Sequence, residues 1–449
     1  MKSLQKFCYA AGLMIAAACL IFTSCTKEGP AGATGPAGKD GTNGKDASET
    51  CKLCHAKAVV DAVATEFQMS KHNWGTAAFE EAGNTGCTPC HAQKAFIYVC
   101  ENNTPTEFTF TGGKWVNPYV TDAANAIGEI SCFTCHSQLH TTYGTADLVL
   151  TNTAAVKMTM YGGAKTIDLS QGGGKSNLCV KCHQPRPLTC GNDPAGRLLN
   201  YDSVKNFPTA VMFDSAAGAK NTMLKPSYRM HVHYGAVGAV YAGQGGIEYA
   251  GSVSYANSPH TTVATCQDCH MADPMTGIAG GHSFNVRNSK ETPLGSGTTW
   301  NFNGCNVTGC HAASPIDANA AKWKATRTEI KGLLDALALK INACGGGHDI
   351  LHQDAAATNL WAGVTTKNYD GYLDVYSSST NPAGYWRDPY NTSAANMAKP
   401  KFPKLLMVQT GALINFQFCL REYSLGIHNT QYVRALLTNT VEALTAAGL

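Results

Sequence analysis

Cysteine and histidine recur together along this 449-residue chain in one fixed pattern. Five pairs of cysteines are separated by two residues, and a histidine directly follows each pair: CKLCH (51–55), CTPCH (87–91), CFTCH (132–136), CVKCH (179–183) and CQDCH (266–270). Histidine makes up 15 of 449 residues, so five chance successions have a probability of about 10⁻⁷ to 10⁻⁸. CxxCH is the attachment signature of c-type haem, in which two thiols form thioethers with one porphyrin and the adjacent imidazole binds the iron.

A sixth segment, CNVTGCH (305–311), has four residues between its cysteines and also ends in histidine. A longer loop can still deliver both thiols if it bulges, so we interpret this segment as a sixth haem site. Chance or a disulfide is the alternative here. Paired CxxC units can also build tetrahedral zinc sites, but zinc does not require a histidine directly after each pair.

Six haem c groups therefore define the predicted cofactor set. The predicted thioether cysteines are Cys51, Cys54, Cys87, Cys90, Cys132, Cys135, Cys179, Cys182, Cys266, Cys269, Cys305 and Cys310. The predicted proximal iron ligands are His55, His91, His136, His183, His270 and His311.

Twelve of the 19 cysteines are used in this way, and three more lie in the first 25 residues. The remaining four are Cys100, Cys190, Cys344 and Cys419. An even number in an exported chain predicts two disulfides with three possible connectivities. Cys344 with Cys419 is the first pairing to expect, because both lie in the helical C-terminal part.

The N-terminus predicts export. Lys2 and Lys6 precede a twelve-residue apolar run (11–22) that is too short to span a bilayer, so residues 1–24 are predicted to be a signal peptide. A small residue directly before Cys25 resembles the lipobox of bacterial lipoproteins, and dual acylation would anchor the chain stably to a membrane. Ordinary cleavage with a free Cys25 is the alternative.

Residues 29–46 contain six Gly-x-y triplets, GPAGATGPAGKDGTNGKD, which is the collagen period. Six triplets predict a solvated spacer, with a short trimerising stalk as the alternative. The whole chain is only 14% charged, against about 25% in ordinary globular chains, which excludes a charge-rich disordered protein. Lys and Arg number 34 against 31 Asp and Glu, so no basic surface indicates nucleic acid as a partner.

Nine histidines remain outside the six motifs, and a haem with two strong axial ligands shuttles electrons whereas an open one can bind a substrate. Several segments containing these histidines resemble a known family: HNWGTAAFEEAGNTGCTPCH (72–91), CFTCHSQLHTTY (132–143), HYGAVGAVYAGQGG (233–246), NSPHTTVATCQDCHM (257–271), GGHSFNV (280–286) and SLGIHNTQYVRALL (424–437). With the haem motifs, they resemble the surface multihaem c-type cytochromes of bacterial extracellular electron transport. These are themselves similar to the cytochrome c nitrite reductase and octahaem reductase lineage.

The resemblance implies six distal iron ligands, one for each haem, and mostly bis-histidine coordination. The implied ligands are His72, His140, His233, His260, His282 and His428. Tyr234 stands where the family often has a second histidine, so His231 remains a rival to His233. His348 and His352 lie outside the matched segments and are interpreted as ordinary residues, and the methionines as packing residues. The order along the chain does not tell which distal histidine serves which haem.

The elements that must position these groups are mainly helical. Residues 51–311 are loop-rich, so the porphyrins are expected to fill the interior there. Residues 316–343, 403–420 and 430–447 are predicted helices; Ile330, Leu334 and Leu337 share one face of the first. The predicted fold class is a loop-rich, haem-cored multihaem cytochrome c with mainly α secondary structure. Its segments are the signal peptide (1–24), the anchor and spacer (25–50), the hexahaem core (51–311) and a helical segment (312–449) that supplies a distal histidine.

These expectations favour electron transfer at the cell surface, between other redox proteins or to an extracellular acceptor. The expected location is the outer membrane or cell surface through lipidated Cys25, with the periplasm as the alternative. Two other functions stay open. One is a reductase of nitrite or another small oxyanion, for which the 305–311 site would be the candidate open iron. The other is a subunit of a polymeric cytochrome filament.

Overall fold

The fold is given by a computed structural model. It describes residues 57–75, 81, 87–101, 109–111, 114–116, 128–136, 150–188, 198–214, 230–276, 278–288, 299–343, 350–353, 369–373, 375–378, 381–386 and 404–449. Residues Thr50–Leu449 form one compact unit. The predicted signal peptide, Cys25 and the Gly-x-y spacer lie outside the described residues.

Short helices dominate the region of the motifs, and three longer ones include the last two helices of the chain. The α-helices are α1 (Lys57–Gln68), α2 (Lys71–Trp74), α3 (Thr88–His91), α4 (Gln93–Glu101), α5 (Cys132–Cys135), α6 (Lys175–Cys182), α7 (Tyr201–Asn206), α8 (Val237–Tyr241), α9 (His260–Val263), α10 (Cys266–His270), α11 (Ala321–Ala343), α12 (Met407–Leu420) and α13 (Thr430–Ala446). Short 3₁₀ turns span Thr159–Tyr161, Gln171–Gly173 and Gly281–Ser283.

The described strands pair only as antiparallel two-stranded ribbons. They are β1 (Thr109–Thr111) with β2 (Lys114–Val116), β3 (Val156–Lys157) with β4 (Thr166–Ile167), β5 (Val211–Asp214) with β12 (Lys404–Leu406), β6 (Arg287–Asn288) with β7 (Thr299–Trp300), β8 (Leu351–Gln353) with β9 (Tyr369–Leu373), and β10 (Val375–Ser378) with β11 (Asn381–Trp386). In the β5–β12 ribbon Leu405 lies opposite Phe213. This ribbon leads the chain directly into α12.

Helix α12 lies at the centre of the molecule. All 14 of its residues are buried, because its sequence MVQTGALINFQFCL is apolar around most of its circumference. Helices α11 and α13 pack against it and bury one stripe each. On α11 that stripe includes the predicted residues Ile330, Leu334 and Leu337.

The same core also takes side chains from the loop-rich region of the haem motifs. Met158, Met160, Ile167 and Val204 are completely or almost completely buried and pack in one cluster with the C-terminal helices. The sequence did not predict this side-chain core, because the residues come from short ribbons and turns without long periodicity. The predicted boundary at 311–312 therefore does not separate two hydrophobic cores.

A buried asparagine joins the two parts. Asn415 of α12 is fully buried, and its carboxamide accepts from the Ile247 N–H at 2.7 Å and donates to the Ile247 carbonyl at 2.8 Å. It also donates to the Thr440 hydroxyl of α13 at 2.8 Å. The Asn415 carboxamide thus pairs with both backbone groups of Ile247, as a neighbouring strand would. It holds this residue of the loop-rich region between α12 and α13.

The expected Cys344–Cys419 disulfide is wrong. Cys419 is a free thiol inside the last turn of α12, completely buried in the apolar core. Cys100 is also a free, buried thiol. Burial in apolar surroundings raises the pKa of Cys100 to about 11, as expected of an inert structural thiol. Cys190 and Cys344 lie outside the described residues. Within the part of the chain that the structure describes, no helix is long and apolar enough to cross a bilayer.

Candidate haem-binding site

Each described CxxCH motif forms one tight turn that brings both thiols and the imidazole together. The N–H of the motif histidine donates to the carbonyl of the first cysteine, at 3.1 Å for His91 and at 3.0 Å for His136. The same bond closes the third turn at 2.9 Å, from His183 to Cys179. The two-residue spacing thus gives one α-helical turn, in which the three chemical groups lie along one segment of about 6 Å.

Two of these turns are fixed by N-terminal capping boxes. The Ser131 side chain accepts from the backbone of CFTCH, and Thr134 returns a bond to the Ser131 N–H. Thr265 and Asp268 do the same for CQDCH. Such reciprocal caps satisfy the otherwise unpaired N–H groups of a helix start, which allows a helix of one turn to persist.

The 305–311 segment closes in the same manner without a helix. The His311 N–H donates to the Cys305 carbonyl at 3.0 Å, although two more residues separate them than in the other motifs. Gly309 lies in these extra residues at a φ of +88°, and an added Cβ would contact nothing within 4 Å. The extra residues therefore bulge outward, and the relation between the first cysteine and the histidine is kept.

Thiols of different motifs lie side by side. None of the ten described motif cysteines is part of a disulfide. The Cys182 side chain interacts with Cys90 and lowers the pKa of Cys90. The Cys179 side chain interacts with Cys266 and lowers the pKa of that thiol to about 6. The 179–183 motif consequently lies between the 87–91 and 266–270 motifs.

Four motif histidines face a histidine that the family resemblance implied as a distal ligand. The ring centroids are 6.0 Å apart for His183 and His72, 6.3 Å for His91 and His233, 6.1 Å for His311 and His260, and 6.2 Å for His270 and His428. The ring planes of the first three pairs are inclined by 65–79°, and those of the fourth by 17°.

These separations fit one metal ion between each pair of rings. Imidazole nitrogens bind metal ions at about 2.0–2.1 Å, and a ring centroid lies about 1.1 Å behind its nitrogen, so two imidazoles on opposite sides of one ion have centroids about 6.3 Å apart. Ring pairs without a metal have centroids about 4.5–7 Å apart, so the separation alone does not separate the two cases. What favours a metal is that each of the four pairs joins a motif histidine to an implied distal histidine. These pairs could hold haem iron, which would supply a one-electron Fe(III)/Fe(II) couple when bound.

The outer ring nitrogens are occupied in a way that leaves Nε2 for a metal. Nδ1 of His270 lies 2.9 Å from the Phe284 carbonyl, and Nδ1 of His260 lies 3.1 Å from the Ile427 carbonyl. A carbonyl can only accept, so each Nδ1 carries the proton and each Nε2 carries a lone pair. This is the tautomer that an axial ligand needs.

Burial also favours the neutral, metal-binding form of these rings. It lowers the pKa of His183 to about 3, with smaller contributions from neighbouring histidines that include His72. Burial lowers the pKa of His72 and His270 as well. Neutral imidazole is the form that binds a metal, so these sites would not lose their ligands by protonation near neutral pH.

His428 differs from the others because a carboxylate contacts its outer nitrogen. Its Nδ1 lies 2.6 Å from Oε2 of Glu422, whose side chain is fully buried. Burial alone would raise the pKa of Glu422, but the hydrogen bond and the charge of His428 bring the pKa below its usual value. The pKa of His428 shifts upward. Burial alone would lower this pKa, but the hydrogen bond to Glu422 and the charge of Glu422 raise it above its usual value.

His136 has His282 as its neighbour. Burial lowers the pKa of His282, Glu66 opposes this shift, and His136 adds to it through its charge. Glu66 of α1 accepts the His282 backbone N–H at 2.9 Å and so fixes the 3₁₀ turn that carries this ring. An added Cβ at the preceding Gly281 would lie 2.2 Å from the Glu66 carboxylate, so the turn needs glycine there.

His233 and His231 have different neighbours. His233 faces His91, and it does so from a left-handed backbone with a φ of +75°. His231 instead accepts the His233 N–H on its Nδ1 at 2.9 Å and packs on Tyr234, with centroids 5.4 Å apart. Tyr234 in turn lies under the buried Arg421 guanidinium at 4.0 Å. His352 is part of β8.

Several predicted residues lie outside the described part of the chain: Cys51, Cys54, His55 and His140, together with the non-ligand His348. The sequence reasoning also missed residues that support the ligands. Glu422 and Glu66 have no motif of their own, and the only signal for Glu422 is its position six residues before a candidate ligand. The backbone carbonyls of Phe284 and Ile427, which contact His270 and His260, cannot be predicted from residue types, because every residue has a carbonyl.

The described residues contain no group of three or more His, Cys, Asp or Glu side chains that could share one metal ion. Comparisons of the chain with protein-family models, with curated proteins and with solved structures found no match.

Proposed function

We propose that this chain is a six-haem c-type cytochrome that transfers electrons. The observation that carries the proposal is the pairing of motif histidines with histidines from distant segments, at 6.0–6.3 Å between ring centroids. Four independent pairs at the separation expected for one iron support axial ligation more strongly than the motifs do alone.

The pairs also give a ligand assignment. His183 is assigned with His72, His91 with His233, His311 with His260, and His270 with His428. The electrostatic neighbourhood of His136 and His282 supports a fifth pair. His55 and His140 lie outside the described residues, and we leave them unassigned.

Two histidines per iron favour a carrier over a reductase. An iron with imidazole on both sides has no position for a substrate, whereas a catalytic haem keeps one open. The 305–311 site was the candidate for an open iron, and its His311 has His260 opposite at 6.1 Å. None of the four pairs with measured separations therefore favours a substrate-binding site.

Contacts between motifs support a continuous route for electrons. The side chains of Cys90 and Cys182 lie near each other, as do those of Cys179 and Cys266, so the 87–91, 179–183 and 266–270 motifs are neighbours in that order. Cys269 and Cys305 interact electrostatically and link the 266–270 motif to the 305–311 segment. Groups tethered to adjacent thiols are themselves adjacent.

The N-terminal sequence and the family resemblance supply the rest of the proposal. Export and lipidation of Cys25 would hold the protein at the outer membrane or cell surface, behind a Gly-rich spacer. Its partners would be other redox proteins or an extracellular electron acceptor.

The test is the haem stoichiometry and spin state of the matured protein. Pyridine haemochrome and intact mass should give six covalently bound haems, and electron paramagnetic resonance of the ferric protein should show low-spin iron only. A high-spin signal from one iron per molecule would favour the reductase instead. A colourless, folded protein would refute the proposal, and five haems would remove the 305–311 assignment.

A further inference from the structure

The carboxylate of Glu422 is enclosed by hydrogen-bond donors. Its side chain is fully buried, and it contacts Nδ1 of His428 at 2.6 Å, the Gly426 N–H at 2.8 Å and the Ser424 hydroxyl at 2.5 Å. A neutral carboxyl would have to donate one proton into this set, whereas an ionised one accepts from all three. The geometry therefore holds a negative charge against the outer side of the His428 ring.

The surrounding turn is built around this charge. Tyr423 and Leu425 both adopt left-handed backbone, with φ of +64° and +57°, which L-residues with side chains rarely adopt. Gly426 follows at +83°, and a Cβ there would lie 2.6 Å from Ile330 of α11. These conformations persist only when surrounding contacts fix them, and the bonds of Glu422 to positions 424, 426 and 428 are such contacts.

Three other candidate ligands, His270, His260 and His282, have weaker outer partners. His270 and His260 contact the neutral carbonyl groups of Phe284 and Ile427, at 2.9 and 3.1 Å. The nitrogen of His282 is 3.8 Å from Glu66, which is too long for a hydrogen bond, and its side chain is 34% exposed. The pair of Glu422 and His428 thus differs in charge, distance and burial from these three.

A carboxylate on the outer nitrogen of a metal-bound imidazole raises the basicity of that ligand. It draws the Nδ1 proton toward itself, which increases the electron density at Nε2. A stronger donor stabilises Fe(III) relative to Fe(II), and a buried negative charge acts in the same direction. Both effects lower the reduction potential of the iron that His428 binds.

We infer that Glu422 is a positioning residue that makes His428 a strong electron donor and lowers the reduction potential of the haem attached at Cys266 and Cys269. This inference rests on the proposed function. It places that haem at a lower potential than it would have with a neutral partner on His428.

The test is Glu422→Gln in the matured, haem-loaded protein. Glu442→Gln is the matched control, because it removes the same charge from a surface carboxylate that accepts the Ser252 N–H at 2.7 Å. Spectroelectrochemical titration of Glu422→Gln should show one of the six haems shifted upward, with at least a tenfold change in its reduction equilibrium, about 59 mV for one electron. The low-spin resonance of that haem should move while its integrated intensity stays constant. Glu442→Gln should change no potential by a comparable amount.

A second variant predicts the opposite sign and covers the case in which Glu422→Gln does not fold. Ser424→Ala removes one donor from the carboxylate, which then draws the His428 proton more strongly, so the same potential should fall. The inference is overturned if six haems are present and Glu422→Gln leaves all potentials unchanged, if Glu442→Gln has an equal effect, or if Ser424→Ala raises the potential. Failure to find haem at all would instead refute the proposed function.

Discussion

Replacing His233 with glycine tests the ligand pairing most directly. His233 faces His91 at 6.3 Å and has a φ of +75°, a conformation that glycine adopts without strain. His233→Gly therefore removes the imidazole and keeps the backbone, including the N–H that donates to His231 at 2.9 Å. An alanine at this position would add backbone strain to the loss of the ligand.

The expected magnitude follows from the pairing. If His233 binds one of six irons, its removal leaves that iron with one protein ligand and converts about one sixth of the haem iron to high spin. The other five irons keep both ligands. The substitution also leaves a space of the shape of an imidazole ring, so added imidazole should restore the low-spin state.

Spin quantitation by electron paramagnetic resonance, with and without imidazole, measures this fraction. His231→Asn is the matched control, because the asparagine oxygen can accept the same N–H that Nδ1 accepts. The control should remain entirely low-spin. The pairing of His233 with His91 is refuted if His233→Gly keeps all six irons low-spin, or if His231→Asn produces the high-spin iron instead.

Three further outcomes are expected. The His270–His428 pair, with planes 17° apart, should give a low-spin resonance of ordinary rhombic shape, whereas perpendicular pairs give a broad, strongly anisotropic one because the iron orbitals remain nearly degenerate. Gly309→Val should lower the haem content from six to five by mass, since its φ of +88° is strained for valine, while Gly448→Val at +80° should leave six. Asn415→Ala should lower the free energy of unfolding by about 2–5 kcal/mol in denaturant titration, because it leaves buried backbone groups without partners.

Each of these has an outcome that would contradict it. Resonances of one shape only would contradict the ring-plane angles. Equal haem content in the two glycine variants would show that the bulge at Gly309 is not needed for haem attachment at 305–311. For the core, Leu339→Ala is the control, since its side chain is 65% exposed on α11 and its loss should change stability by less than about 0.5 kcal/mol. Equal effects of the two substitutions would refute the role of Asn415.

The elements with local signals were predictable. The helices predicted over 316–343 and 430–447 are present as Ala321–Ala343 and Thr430–Ala446. Their apolar stripes are long and regular, which is why the sequence predicts them. The 403–420 prediction was partly wrong. Its first residues form β12, whose pairing with β5, some 190 residues earlier, has no local sequence signal.

The pairing of the ligands was not predictable, for a geometric reason. His72 is nearest in sequence to the 87–91 motif but faces His183, and His260 precedes the 266–270 motif but faces His311. A motif turn directs its own histidine to one side of the site, so the opposite side must be reached by a segment that arrives from elsewhere in the fold. Residue types identify candidate ligands, but the tertiary fold determines which motif histidine each candidate faces.

Ile427 and His428 are consecutive residues, yet they act on different pairs: the carbonyl of Ile427 holds His260 opposite His311, and the ring of His428 faces His270. The peptide unit between Ile427 and His428 therefore positions both histidine pairs, and a displacement of this unit would move a ring in each pair. Under the proposed function, mutations in this segment should therefore impair two neighbouring haem sites together.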